Sequence, residues 1–233
     1  MITANCRDRF TAADFDFVVR TLGRSESEAI SLVTLLTDAD ARDAVLDHPK
    51  LVHAVLEPSA ALSISPQLYF YILIRHVLKE TGLNDRMVSD YVASLLENFS
   101  QTARMQSPAH GHAGPIQYLS DMLIALRNAS PVQSFLIRAH VGNYSLFITG
   151  IFHETVQSRC HRGGPDVMFY EEMGRANYKA AASHHVARSA ALTEIYDQLA
   201  DGFRDVRLAL NRVADSLLHL DDAALPGGFV FAE

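Results

Sequence analysis

Tryptophan is absent from this 233-residue chain, lysine occurs three times and cysteine twice, and each scarcity closes an avenue. Cys6 and Cys160 stand alone without a Cys-x-x-Cys spacing, so a disulfide framework is excluded and a reducing, cytoplasmic setting is expected. No apolar core follows the polar start MITANCRDRF, and no secretory signal is expected. The longest apolar run, Leu68 to Ile74, is bounded by Gln67 and Arg75, far short of the ~20 residues of a membrane span. Positive charge is never massed. The 17 arginines are scattered, the net charge is −7, and the electrostatic footprint of a nucleic-acid binder is missing. No internal repeat of about 20 to 50 residues recurs, which argues against a solenoid.

What is present reads as helix. With 48% apolar residues, a chain of this length buries a sizeable core without staples, and one domain is expected. Thr11 with Asp14 and Ser25 with Glu28 are N-cap pairs; Asp38 caps a further helix and Pro49 opens another. Residues 11–57 are therefore expected as a subregion of short helices, followed by a main bundle over 58–220 and a tail over 221–233. Ser65, Pro66 and the terminating Gly82 mark a helix over 66–81, apolar nearly all round and hence central. Asn84 opens the next, with Met87, Val88, Tyr91, Val92, Leu95, Leu96 and Phe99 at helical spacing. Residues 100–115 have no apolar period and read as a loop. Helices over 116–129 and 131–157 follow, the second again apolar all round, and another begins at Pro165 with a bend near Ser183 and His184.

The last helix has the clearest pattern. Leu192, Tyr196, Leu199, Phe203, Val206, Leu210, Val213 and Leu217 alternate in steps of three and four. The flanks (Ile195, Gly202, Ala209 and Ser216; Thr193, Ala200, Arg207 and Ala214) lack the Glu and Lys of a two-stranded zipper, so packing within a bundle is favoured. The fold class is all-α: a multi-helix bundle with central apolar helices and a long C-terminal heptad-patterned helix.

Eleven histidines invite a search for metal sites or general bases. His153 and Glu154 are followed by Thr155, Val156 and Gln157, which breaks His-Glu-x-x-His, and Glu-x-x-His does not occur. Two stripes remain. On the helix over 131–157, His140, Asn143, Tyr144 and Glu154 share one face with Phe147 and Ile151, opposite the small residues Gly142, Ser145 and Thr149. This stripe is either a polar ligand pocket with Glu154 as base or ligand, or a hydrogen-bond network fixing helix register, and the network is favoured. On the helix from 165, Glu171, Arg175, Tyr178 and His185 line a second candidate cleft, or a solvated face with a Glu171–Arg175 pair. Cys160 among Arg159, His161 and Arg162 could be redox-sensitive, or Gly163 and Gly164 could help hold a phosphate; an exposed loop is the plainer reading. His110 and His112 make at most an adventitious metal contact. No phosphate loop, dinucleotide fingerprint or nucleophile elbow appears. The expectation is a helical binding or interaction module without a predicted cofactor, partnered by itself or by another helical protein. The competing class is a haem or di-metal enzyme using internal His and Glu.

Overall fold

A computed structural model of the chain describes residues 1–57, 63–105 and 115–217. His110, His112, the 221–233 tail and the side chains of Ser216 and Leu217 lie outside that description. Among the described residues there is no strand, and the fold is an all-α multi-helix bundle.

Four short helices come first: α1 (Ala12–Leu22), α2 (Glu26–Thr37), α3 (Ala39–Leu46) and α4 (Pro49–Val55). Their starts follow the capping residues. Thr11 and Asp14 bond reciprocally, the Ser25 and Asp38 side chains accept from Glu28 N and Ala41 N, and Pro49 takes the first helical position. Asp14 does more than cap. Buried completely, it also accepts from Ser65 N and Ser65 Oγ at 2.7 Å each, which ties the start of α1 to the start of the central α5 (Pro66–Glu80). α5 is buried from Leu68 through Arg75 and ends at Gly82, whose φ of +86° suits glycine.

α6 (Arg86–Met105) runs through the first part of the segment read as loop, so that boundary is corrected by six residues, Ser100 to Met105. The expected helix over 131–157 is two: α8 (Pro131–Ile151), after α7 (Pro115–Ala125), and α9 (His153–Cys160). The interruption at Phe152 frees the carbonyls of Thr149 and Gly150, and Asn211 Nδ2 donates to both at 2.8 Å. Asp166 caps α10 (Val167–Ala182), and the bend near Ser183 and His184 separates it from α11 (His185–Ser189).

The heptad segment is likewise broken, at Gly202, into α12 (Thr193–Asp201) and α13 (Phe203–Arg212), followed by a π-helical turn over Val213–Leu217. The break leaves the seam intact: from Leu192 to Val213 none of its seven residues exceeds 1% exposure. α8 packs chiefly against α10 and α13, and α5 against α6, α4 and α13. Three helix glycines set these approaches. A Cβ on Gly142 would lie 2.7 Å from the Tyr178 ring, and one on Gly150 2.8 Å from Leu210, while at Gly174 it would overlap Phe203. On the other side of α8 a smaller cluster joins Val141 to Leu119, Val156 and Tyr170.

Leu199→Asp and Val206→Asp place an unpaired charge at fully buried sites and are expected to cost more than about 4 kcal/mol, with Gly174→Ala costing about 1–3. Asp197→Ala loses only the exposed pair with Lys179 and should stay within about 0.5 kcal/mol. Urea unfolding of the four variants checks the order.

Candidate functional site

The stripe expected on α8 is not brought together in one place. Asn143 is buried, and its Oδ1 accepts from Tyr91 Oη at 2.8 Å and Tyr178 Oη at 2.7 Å. The Tyr196 hydroxyl lies 3.4 Å from that of Tyr91, and the Tyr178 and Tyr196 rings stack at 5.5 Å. Burial, followed by the neighbouring tyrosines, pushes the Tyr91 and Tyr178 hydroxyls well above the usual phenol range. They remain protonated donors, as the Asn143 oxygen requires. His140 points elsewhere, stacking on Phe99 with ring centroids 5.7 Å apart, and burial pushes its imidazole below its usual range. Tyr144 packs on the smaller cluster beside Val141. Glu154 is exposed on α9, past the Phe152 interruption that ends the stripe's common face. Asn143 thus joins the Tyr91 and Tyr178 hydroxyls, while His140 stacks on Phe99, Tyr144 packs on the smaller cluster and Glu154 stands on another helix.

The second stripe is also divided. Glu171 pairs with Arg207 Nε at 2.5 Å rather than with Arg175. Arg175 Nε donates to Ala200 O at 3.2 Å, one of the carbonyls freed by the break at Gly202. Tyr178 is fully buried against Asn143, and His185 is exposed beside His184. Glu171 and Arg175 hold α10 against α13 and α12, Tyr178 meets α8, and His185 stands on α11. Cys160 is exposed at the end of α9. Among the described residues no three His, Cys, Asp or Glu side chains converge as a metal site.

Two features were missed at the sequence level. The first is a polar layer under the N-terminal segment and along α5. Asp90, Ser94 and Glu97 recur at helical spacing on α6 and are all buried. Asp90 accepts from Cys6 N, Arg7 N and Arg7 Nε, and burial still pushes its carboxyl above the usual range. Arg7 continues to Asp43 at 2.7 Å, and Arg86 spans Asp43 and Asp47 at 3.8 and 3.5 Å. Asp47 also takes Arg75 and Lys79 at 2.8 and 3.3 Å; burial acts to raise its pKa, yet Arg75 and then Lys79 hold it below the usual range. The spacing of Asp90, Ser94 and Glu97 was visible, but partners more than 80 residues away were not.

The second feature is α2. It carries no charge from Ala29 to Thr37, yet only Leu36 is buried, while Ile30, Val33 and Leu35 are 64, 54 and 44% exposed. Hollows lie along both sides. One of about 370 Å³ is shared with Phe15 and Val19 of α1, and one of about 530 Å³ with Leu22 of α1 and Ala41, Ala44 and Val45 of α3.

Comparison with protein-family models, curated proteins and solved structures finds no match.

Asn143→Ala strands two buried hydroxyls and is expected to cost about 1–3 kcal/mol for each, whereas Glu154→Ala should stay within about 0.5 kcal/mol. Chemical denaturation separates them. Asp47, with its pKa lowered on folding, stabilises the protein fully above the ordinary carboxylate pKa, and that contribution is lost as pH falls through the folded value. Asp47→Asn should accordingly flatten the acid side of a stability–pH profile.

Proposed function

We propose that the protein is a non-catalytic binding module that receives a basic amphipathic helix of another protein along α2. The carrying observation is an apolar helix left on the surface. At 100° per residue the apolar side chains of α2 spread over an arc of about 220°, and only its middle, at Leu36, is covered. Its hydroxyls are compatible with a dry contact: Ser31 and Thr34 donate to the carbonyls of Ser27 and Ile30, so covering them strands no donor. An exposed apolar surface flanked by grooves is the receptor geometry of helix-in-groove recognition.

Charge selects the occupant. Exposed Glu26 and Glu28 stand at one end of α2 and exposed Asp38 and Asp40 just past the other, with no cation between Arg24 and Arg42. Like charge disfavours a second copy lying along α2 and an anionic lipid surface equally. A complementary helix has an apolar centre with Lys or Arg at its ends, about 16–18 Å apart to match twelve residues of helix.

The probe is a synthetic Leu/Ala/Gln helix with paired Lys at both ends, compared by fluorescence anisotropy with its Glu-ended counterpart. The Lys peptide should bind with a Kd of about 10 μM, roughly −7 kcal/mol, weakening with salt. The Glu peptide should not bind, and Val33→Asp should weaken binding at least tenfold. Equal binding by Val33→Asp overturns the proposal. So does a wild-type dimer that Val33→Asp dissociates, or binding to phosphatidylserine vesicles through Val33, because either would name a different occupant.

A further inference from the structure

Two hollows flank α2, and a helix received there has to use one of them. We infer, resting on the reading of α2 as a receptor, that the received helix lies on the α1 side and seats one aromatic side chain, Trp or Phe, in the hollow of about 370 Å³ between α1 and α2.

The uncovered apolar surface of α2 is lopsided. At 100° per residue Ile30 and Val33, its two most exposed apolar side chains, fall about 60° apart on the flank that holds this hollow, whereas on the α3 flank Leu35 alone is exposed. Gly23, Arg24 and Ser25 join α1 to α2, a connection of the length that sets two helices side by side and antiparallel. Phe15 and Val19 on α1 and Val33 and Leu36 on α2 line the space at helical spacing, so the hollow is the groove of a helical pair, and such grooves receive the ridge of a third helix. One wall is already aromatic. Phe15 meets Phe10 edge to face with centroids 6.3 Å apart, and Phe10 meets Tyr71 of α5 in the same manner at 5.8 Å. Phe15 is half-buried at the outer end of this run, and a ring inserted beside it extends the series. The rim is neutral and its polar groups are engaged: Asp16 pairs with Arg20 on its own helix, and Thr37 Oγ1 donates to Thr34 O at 2.6 Å. An apolar anchor therefore strands no donor here. The volume falls at the low end of the ~300–1,000 Å³ of ligand sites, enough for one indole. The larger hollow on the α3 side, of about 530 Å³, has no phenyl ring in its walls.

Because the chain itself has no Trp, indole emission reports the anchor alone. The Lys-ended Leu/Ala/Gln helix with Trp at its central apolar position is compared with the same peptide carrying Ala there, each titrated into the full chain. The Trp peptide should bind about tenfold more tightly, and its emission should shift to the blue on binding. Val19→Phe fills the hollow from α1 and Val33→Phe fills it from α2, and each should bring the two peptides to within about twofold of one another. Ala44→Leu fills the hollow on the α3 side instead and should preserve the gain. Equal binding of the Trp and Ala peptides to the wild type overturns the socket and leaves the receptor reading standing. A gain that survives both Phe variants, or one that Ala44→Leu abolishes, has the same consequence. Binding of neither peptide removes the receptor reading, and the socket with it.

Discussion

The Tyr178 ring lies where a side chain at position 142 would begin, and much of the bundle's arrangement depends on that overlap being avoided by glycine. Glycine within a helix costs roughly 1 kcal/mol against alanine. Here the cost admits an aromatic ring to the α8 backbone, where its hydroxyl reaches Asn143 on the next residue. The same oxygen then receives Tyr91 from α6, and Tyr196 from α12 stacks on Tyr178. One carbonyl oxygen thereby relates four helices whose residues are far apart in the chain. Gly150 under Leu210 and Gly174 under Phe203 repeat the device along the heptad segment. An apolar core alone tolerates sliding between helices; a buried acceptor that must meet two hydroxyls sets the register more narrowly.

The helix interruptions obey the same accounting of polar groups. When a helix breaks inside a fold, its freed carbonyls need donors, and side chains of neighbouring helices supply them. Asn211 does this for Thr149 and Gly150, and Arg175 for Ala200. The contacts are reciprocal in topology: α13 serves the end of α8, and α10 serves the end of α12. Both breaks therefore add polar contacts between helices that also pack through apolar side chains.

Local grammar was legible because it acts within one turn. Ser65 with Pro66, the Thr11–Asp14 pair, Asp38 and Gly82 mark boundaries through bonds to their own backbone, and the period from Leu192 to Val213 marks the buried seam. The interruptions at Phe152 and Gly202 were not legible, because the groups that accommodate them, Asn211 and Arg175, lie 59 and 27 residues away in sequence. The stripe is divided for the same reason. A helical wheel states which side chains share a direction, but it assumes one continuous helix and is silent about what stands opposite. Asn143, at the stripe's edge, meets α6 and α10, Tyr144 turns to the smaller cluster, and Glu154 belongs to a different helix.

Apolar side chains are covered in the interior and left uncovered on α2. Around Asn143, Glu171 and Asn211 the side-chain groups meet partners across helices, which suits rigidity and leaves little to offer a ligand. Uncovered apolar side chains raise the free energy of the isolated chain, and an occupant with an apolar face, as proposed for α2, would relieve that cost. The uncovered face of α2 sits on short helices that reach the centrally fastened bundle through polar ties, among them Asp14 to Ser65 and Asp47 to Arg75.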